Sequence, residues 1–79
     1  RALGNEELAE LYIQNALRIG LVRIKEHPES GNAAYSLGRT YALMGRHKEA
    51  LEQYQAAVKH SPTKKKFNKA LRRAKGGRF

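Results

Sequence analysis

Groups that could do chemistry are few in this chain, and they do not gather. Its histidines, His27, His47 and His60, fall near the ends of three different expected helices. None stands at a metal-ligand spacing from another histidine or from an acid. Cysteine is absent, so there is neither a thiolate nucleophile nor a disulfide. No glycine-rich phosphate loop and no nucleophile elbow occurs. The few Ser and Thr residues sit at expected helix caps or within a repeat. The chain reads as no enzyme, with no cofactor and no metal.

Charge is the stronger signal. The net charge is +9, and residues 64–79 supply nearly all of it. That stretch, KKKFNKALRRAKGGRF, holds Lys64, Lys65, Lys66, Lys69, Arg72, Arg73, Lys75 and Arg78 without one acid, whereas residues 1–63 carry only +1. A nearly neutral body therefore ends in a basic tail. Such a tail is either a solvated, solubilising end or a surface that binds RNA or DNA by releasing counterions, for which about six phosphate contacts would give log K against log salt a slope near −5. Phe67 fits a helical apolar face, so base stacking is not implied. As a third reading, KKKFNKALRRAK is a basic amphipathic helix of the kind calmodulin or an anionic membrane surface accepts. Its apolar face is thin.

These groups must be positioned by helices. Asn5 is expected to cap a first helix with Glu6 and Glu7 in its opening turn, where acids oppose the positive end of the dipole. That helix spans 6–26, about 30 Å, and Gly20 weakens it by about 1 kcal/mol against alanine. It is apolar on two faces. Leu8, Leu11, Tyr12, Ala16, Ile19 and Val22 form one, and Ile13, Leu17, Leu21 and Ile24 the other, so it wants two partners. The second partner is either the rest of this chain or an external molecule. Pro28 breaks the helix. Asn32 is expected to cap a second helix that ends at Gly45, in the left-handed conformation. A third runs from His47 to His60 and stops at Ser61 and Pro62. Thr63 is expected to cap a fourth, with Phe67, Ala70, Leu71 and Ala74 inward. Helices two and three must be antiparallel neighbours. Between them Gly38, Ala50 and Ala57 permit close approach, while Leu37, Tyr41 and Tyr54 fill the space beside each contact.

The chain also echoes itself at 34 residues: Leu3-Gly4 with Leu37-Gly38, Ala16-Leu17 with Ala50-Leu51, Lys25 with Lys59, and Pro28 with Pro62. Leu37, Gly38, Tyr41, Gly45, Ala50, Tyr54, Ala57 and Pro62 make residues 31–64 resemble the tetratricopeptide repeat family. Ala34 stands where the family's first aromatic is expected, with Tyr35 beside it. No turn signal splits residues 8–16, so one long helix is expected in place of a first hairpin.

The resemblance implies an all-α fold of antiparallel helical hairpins with about four helices. A long N-terminal helix precedes one hairpin, and a basic capping helix (63–75) follows it. Together they form a single domain over 1–75, with 76–79 as a flexible tail. It further implies a non-catalytic adaptor or scaffold binding a peptide or partner helix. By family register the groove positions are Asn32, Tyr35, Ser36, Arg39 and Leu43, then Lys66, Lys69 and Arg73, a set that favours an acidic partner. Lys64, Lys65, Arg72 and Lys75 form the remaining basic surface. The carboxylate clamp of some members would fall on Arg1, Asn5, Ser36, Lys66 and Ala70, and Ser36 and Ala70 depart from its pattern. The doubly apolar first helix implies a homo-oligomer or a piece of a longer array. The chain starts with Arg and shows no leader pattern. No run approaches the roughly 18 apolar residues a membrane span needs. A cytoplasmic setting is expected. Nucleic acid is the second-choice partner. Salt separates the two readings: binding to a protein partner is expected to survive moderate salt, and binding to nucleic acid to collapse.

Overall fold

A computed structural model describes residues 4–77. Four helices follow in order: α1 (Asn5–Glu26), α2 (Gly31–Leu43), α3 (His47–His60) and α4 (Lys65–Lys75). Each packs on the next along the chain, α1 on α2, α2 on α3 and α3 on α4. Among the described residues the fold is all-helical. The single long first helix, the α2–α3 hairpin and the basic fourth helix stand as expected.

The turn between α2 and α3 shows why a glycine was needed. Gly45 has φ +78°, a value costly for residues with a Cβ. It lets the Arg46 N–H reach Tyr41 O at 2.9 Å and the Gly45 N–H reach Ala42 O at 3.1 Å. These two bonds satisfy carbonyls that the end of a helix leaves open.

All three expected caps are displaced. Gly4, not Asn5, precedes α1, and the Glu7 carboxylate accepts from its N–H at 3.4 Å. Asn5 is simply the first helical residue. Ser30, not Asn32, caps α2, with its hydroxyl accepting from the Ala33 N–H at 3.2 Å. The cap moves back because the helix opens on Gly31, in a place too crowded for a side chain. A Cβ on Gly31 would lie 2.6 Å from Ser61 Oγ and 3.0 Å from the Phe67 ring. Lys64, not Thr63, precedes α4 and supplies no side-chain cap. The Asn68 side chain instead donates to Pro62 O at 2.8 Å and to Lys64 O at 3.1 Å, fixing the loop to the helix start.

The 34-residue echo is real in the backbone. His27 and Ser61 end α1 and α3 with nearly the same dihedrals, φ −134°, ψ 68° and φ −140°, ψ 71°. The bond from the Ser30 N–H to His27 O recurs as Lys64 N–H to Ser61 O. The second half of α1 is thus the counterpart of α3, and α4 the counterpart of α2. The echo fails at the other end. Gly4 lies before α1 and not inside a helix as Gly38 does, and Leu3 lies outside the described residues.

The core is built mainly of small residues. Ala33, Ala34, Ala50, Ala57 and Ala74 are buried with Leu37, Tyr54 and Phe67. A Cβ on Gly38 would lie 2.8 Å from two atoms of the Tyr54 ring and 3.3 Å from Ala50 O. The small residues therefore do set the α2–α3 distance. Tyr41 is only half buried; the Arg46 guanidinium covers its ring at 4.9 Å. Gly20, the suspected weak point of α1, is its one buried residue. A Cβ there would lie 3.1 Å from Leu37 Cδ1, so the glycine marks where α1 and α2 touch.

Gly38→Ala is expected to destabilise the fold. Alanine gains about 1 kcal/mol of helix propensity over glycine. Against this, the Tyr54 ring cannot retreat from a buried site, and overpacking of this kind costs roughly 1–3 kcal/mol. Urea unfolding would show the midpoint falling; a midpoint that rises would mean the contact is slack.

Candidate functional site

The expected groove positions separate into two surfaces on either side of α2. The first is a groove of about 480 Å³ between α1 and α2, whose walls include Tyr12, Ile19 and Arg23 from α1 and Ser36, Arg39 and Leu43 from α2. Its floor is Gly20, Ala33 and Thr40. The buried Thr40 hydroxyl donates to Ser36 O at 3.1 Å, so the floor presents no unmet polar group to a guest. No acid lines this groove. The sequence pointed to Ser36, Arg39 and Leu43 but did not reveal the α1 wall. The signal for it was the run of apolar residues at three- and four-residue spacing.

The second surface forms where α2 meets α4. The Tyr35 ring lies 4.9 Å from the Phe67 ring and 5.9 Å from the Tyr54 ring, tilted against both. Phe67 is fully buried, so Tyr35 is anchored on one side and open on the other. Cations gather over the open side. Lys66 Nζ stands 5.3 Å from the centre of the Tyr35 ring and 5.7 Å from that of Phe67. Arg39 Cζ stands 6.0 Å from the Tyr35 ring. A cation over an aromatic face gains about 0.5–1 kcal/mol at an exposed site, which biases both side chains toward this spot. Tyr35 is both a packing residue and part of a surface.

Arg73 belongs to the same neighbourhood, because with Arg39 it acts electrostatically on the Tyr54 hydroxyl. Burial raises the Tyr54 pKa above the ordinary tyrosine value, Tyr35 raises it further, and Arg39 and Arg73 pull against both. Lys69 is exposed on the same side of α4 as Lys66 and Arg73. Asn32 is exposed at the start of α2, and no contact joins it to the others. Lys64, Lys65, Arg72 and Lys75 are exposed and spread over the rest of α4 and its approach. Arg78 lies outside the described residues.

The carboxylate clamp is not assembled. Ala70 is half buried against Ala50, Tyr54 and Ala74, Asn5 is held in the first turn of α1, and Arg1 lies outside the described residues.

A hairpin of two antiparallel helices joined at a glycine, flanked by helices that repeat its backbone at 34 residues, defines a helical-repeat protein. The family model described as Tetratricopeptide repeat matches residues 1–62. That is well over half of the 79 residues, and the chain belongs to the tetratricopeptide repeat family. Searches of curated proteins and of solved structures give no match. The family consists of protein–protein interaction modules that are generally non-catalytic. No helix among the described residues is long and apolar enough to cross a membrane.

The Tyr54 shift has a defined pH consequence. The folded state holds the phenol proton more tightly than the unfolded chain does. This contribution is complete below the unfolded value near 10 and is lost as pH rises through the higher folded value. Stability is expected to fall at strongly alkaline pH, and more gently in Tyr54→Phe. Chemical denaturation of both proteins across alkaline pH checks this; parallel curves would dismiss Tyr54 as the cause.

Proposed function

We propose that this chain is a non-catalytic adaptor, with 1–75 acting as one domain, that binds an acidic peptide or partner helix on the face where α2 meets α4. One observation carries this reading. The two helices that build that face, GNAAYSLGRTYAL and KKFNKALRRAK, contain no Asp or Glu. Arg39, Lys66, Lys69 and Arg73 therefore have no carboxylate from their own helices to answer them. An acidic side chain from a partner would meet several donors around a rigid aromatic base. The positive face would also speed the partner's approach at low salt. Tyr35 supplies the apolar contact and the cations supply orientation. Asn32 lies at the rim. A cytoplasmic setting and self-association through α1 belong to the same reading.

The second reading, RNA or DNA held by the basic surface of α4, keeps its support in Lys64, Lys65, Arg72 and Lys75. All four point to solvent and have no acids near them in sequence. Testing it by deleting 64–79 would remove Phe67 and Ala74 from the core. Neutralising those four residues to Gln is the sounder variant.

A fluorescein-labelled peptide of alternating Glu and Leu, titrated with the protein, should bind saturably and persist at moderate salt. Arg39→Glu should weaken it at least tenfold, about 1.4 kcal/mol, with the circular dichroism unchanged. If poly(U) RNA binds instead, falls steeply with salt and is lost in the four-Gln variant, the acidic-partner reading is wrong.

A further inference from the structure

The long first helix leaves an apolar stripe bare. Leu8, Leu11, Tyr12, Ile19 and Val22 are each half exposed or more, Tyr12 at 71%. With Asn15 they fall at three- and four-residue spacings, so they lie along one side of α1. Scattered surface apolar residues are ordinary, but a continuous stripe marks a contact. It borders the α1/α2 groove, since Tyr12, Asn15 and Ile19 also line that groove.

The reason for the bare stripe can be read from the repeat. The second half of α1 is the counterpart of α3, whose apolar side is covered by the helix before it, folded back at Gly45. Thirty-four residues earlier than Gly45 stands Leu11. A leucine cannot take Gly45's left-handed φ without strain, so the chain runs straight on as helix. The residues that would have folded back to cover the groove are carried away from it.

What could cover it is present in the same helix. On one flank of the stripe stand Glu7 in the first half and Arg18 and Lys25 in the second, while Glu6 and Glu10 lie on the opposite side of the helix. An antiparallel pair brings Glu7 of one copy beside Lys25 of the partner subunit, along two apolar stripes that match. In a parallel pair the same two residues lie about 27 Å apart along the axis.

We propose that two copies pair through antiparallel α1 helices on a two-fold axis at Asn15, each laying the first half of its apolar stripe along the edge of the other's α1/α2 groove. Leu8 then meets Val22 of the partner subunit, and Leu11 meets Ile19 of the partner subunit. Asn15 meets its own copy, where a polar residue on the axis of an apolar seam fixes register and orientation. Such an interface is self-complementary, and closed twofold pairing ends the assembly at two. The groove is incomplete without the second copy, while the Tyr35 face stays open. This inference rests on the reading of α1 as a self-association surface and deepens it.

Cysteine trapping tests it, and the absence of native cysteine makes the background clean. Under mild oxidation the double variant L8C/V22C should form a disulfide-linked dimer, and neither single variant should. Sedimentation equilibrium of the unmodified chain should give a dimer that survives high salt. Leu11→Glu with Ile19→Glu should give a monomer of unchanged helicity, since both positions are exposed. A dimer in which L8C alone cross-links would overturn the antiparallel geometry and leave self-association standing. A monomer at high micromolar concentration would overturn both. The acidic-peptide reading is separated from the dimer by Lys69→Glu, on α4 and outside this groove, which should weaken the peptide and leave the dimer unchanged.

Discussion

The approach of α2 to its neighbours governs this molecule. At three places on that helix's contacts a side chain is missing: Gly38 under the Tyr54 ring, Gly31 against Ser61 and Phe67, and Gly20 of α1 against Leu37. Each absence brings a backbone into direct contact with a side chain. A chain this short buries only about 60% of the surface its unfolded form exposes, and large core residues are scarce. Leu37 and Phe67 are the largest fully buried side chains. Close backbone contact is therefore how the fold reaches interior density. Because rings and backbones are stiff, it also fixes the angles between helices.

Those angles create both surfaces. With α2 seated on α3, Tyr35 comes to lie on Phe67 of the fourth helix, and the cations of α4 gather around an aromatic that belongs to α2. The ring is held from below and reached from above. Seating α1 through Gly20 has the opposite outcome. Contact is made near the second half of that helix, and the first half runs on past the groove and leaves it unfilled. One packing rule thus gives a positive face with a rigid floor and an apolar edge with no cover.

Charge follows the same division. Acids are confined to α1, the loop after it and α3, while α2 and α4 have none. The fourth helix begins without an acid in its first turn and without a side-chain cap, an unfavourable start for a helix crowded with lysine. Burial of Phe67 and Ala74 and the Asn68 anchor hold it in place. A helix kept in so unfavourable a charge state is positioned by packing, and its cations are left to face outward.

The sequence alone determined the helices, the glycine turn, the 34-residue period and the location of the charge. Each of these is local: a glycine that must take positive φ, a proline that ends a helix, a period of 3.6 residues, a run of lysines. It also determined that α1 has two apolar faces, because periodicity is visible in one dimension. Tertiary structure decided which of them found a partner, since that depends on where Gly20 meets Leu37, a contact between residues far apart in the chain. Likewise it moved the caps of α1, α2 and α4 by one or two residues, that of α2 because Gly31 had to sit beneath Phe67. It also split the expected groove in two, placing Ser36 and Leu43 toward α1 and Tyr35 toward α4, with Arg39 on the border of both. Residues adjacent on a helix diverge by about 100°, and only the neighbours packed around them decide which surface each one serves.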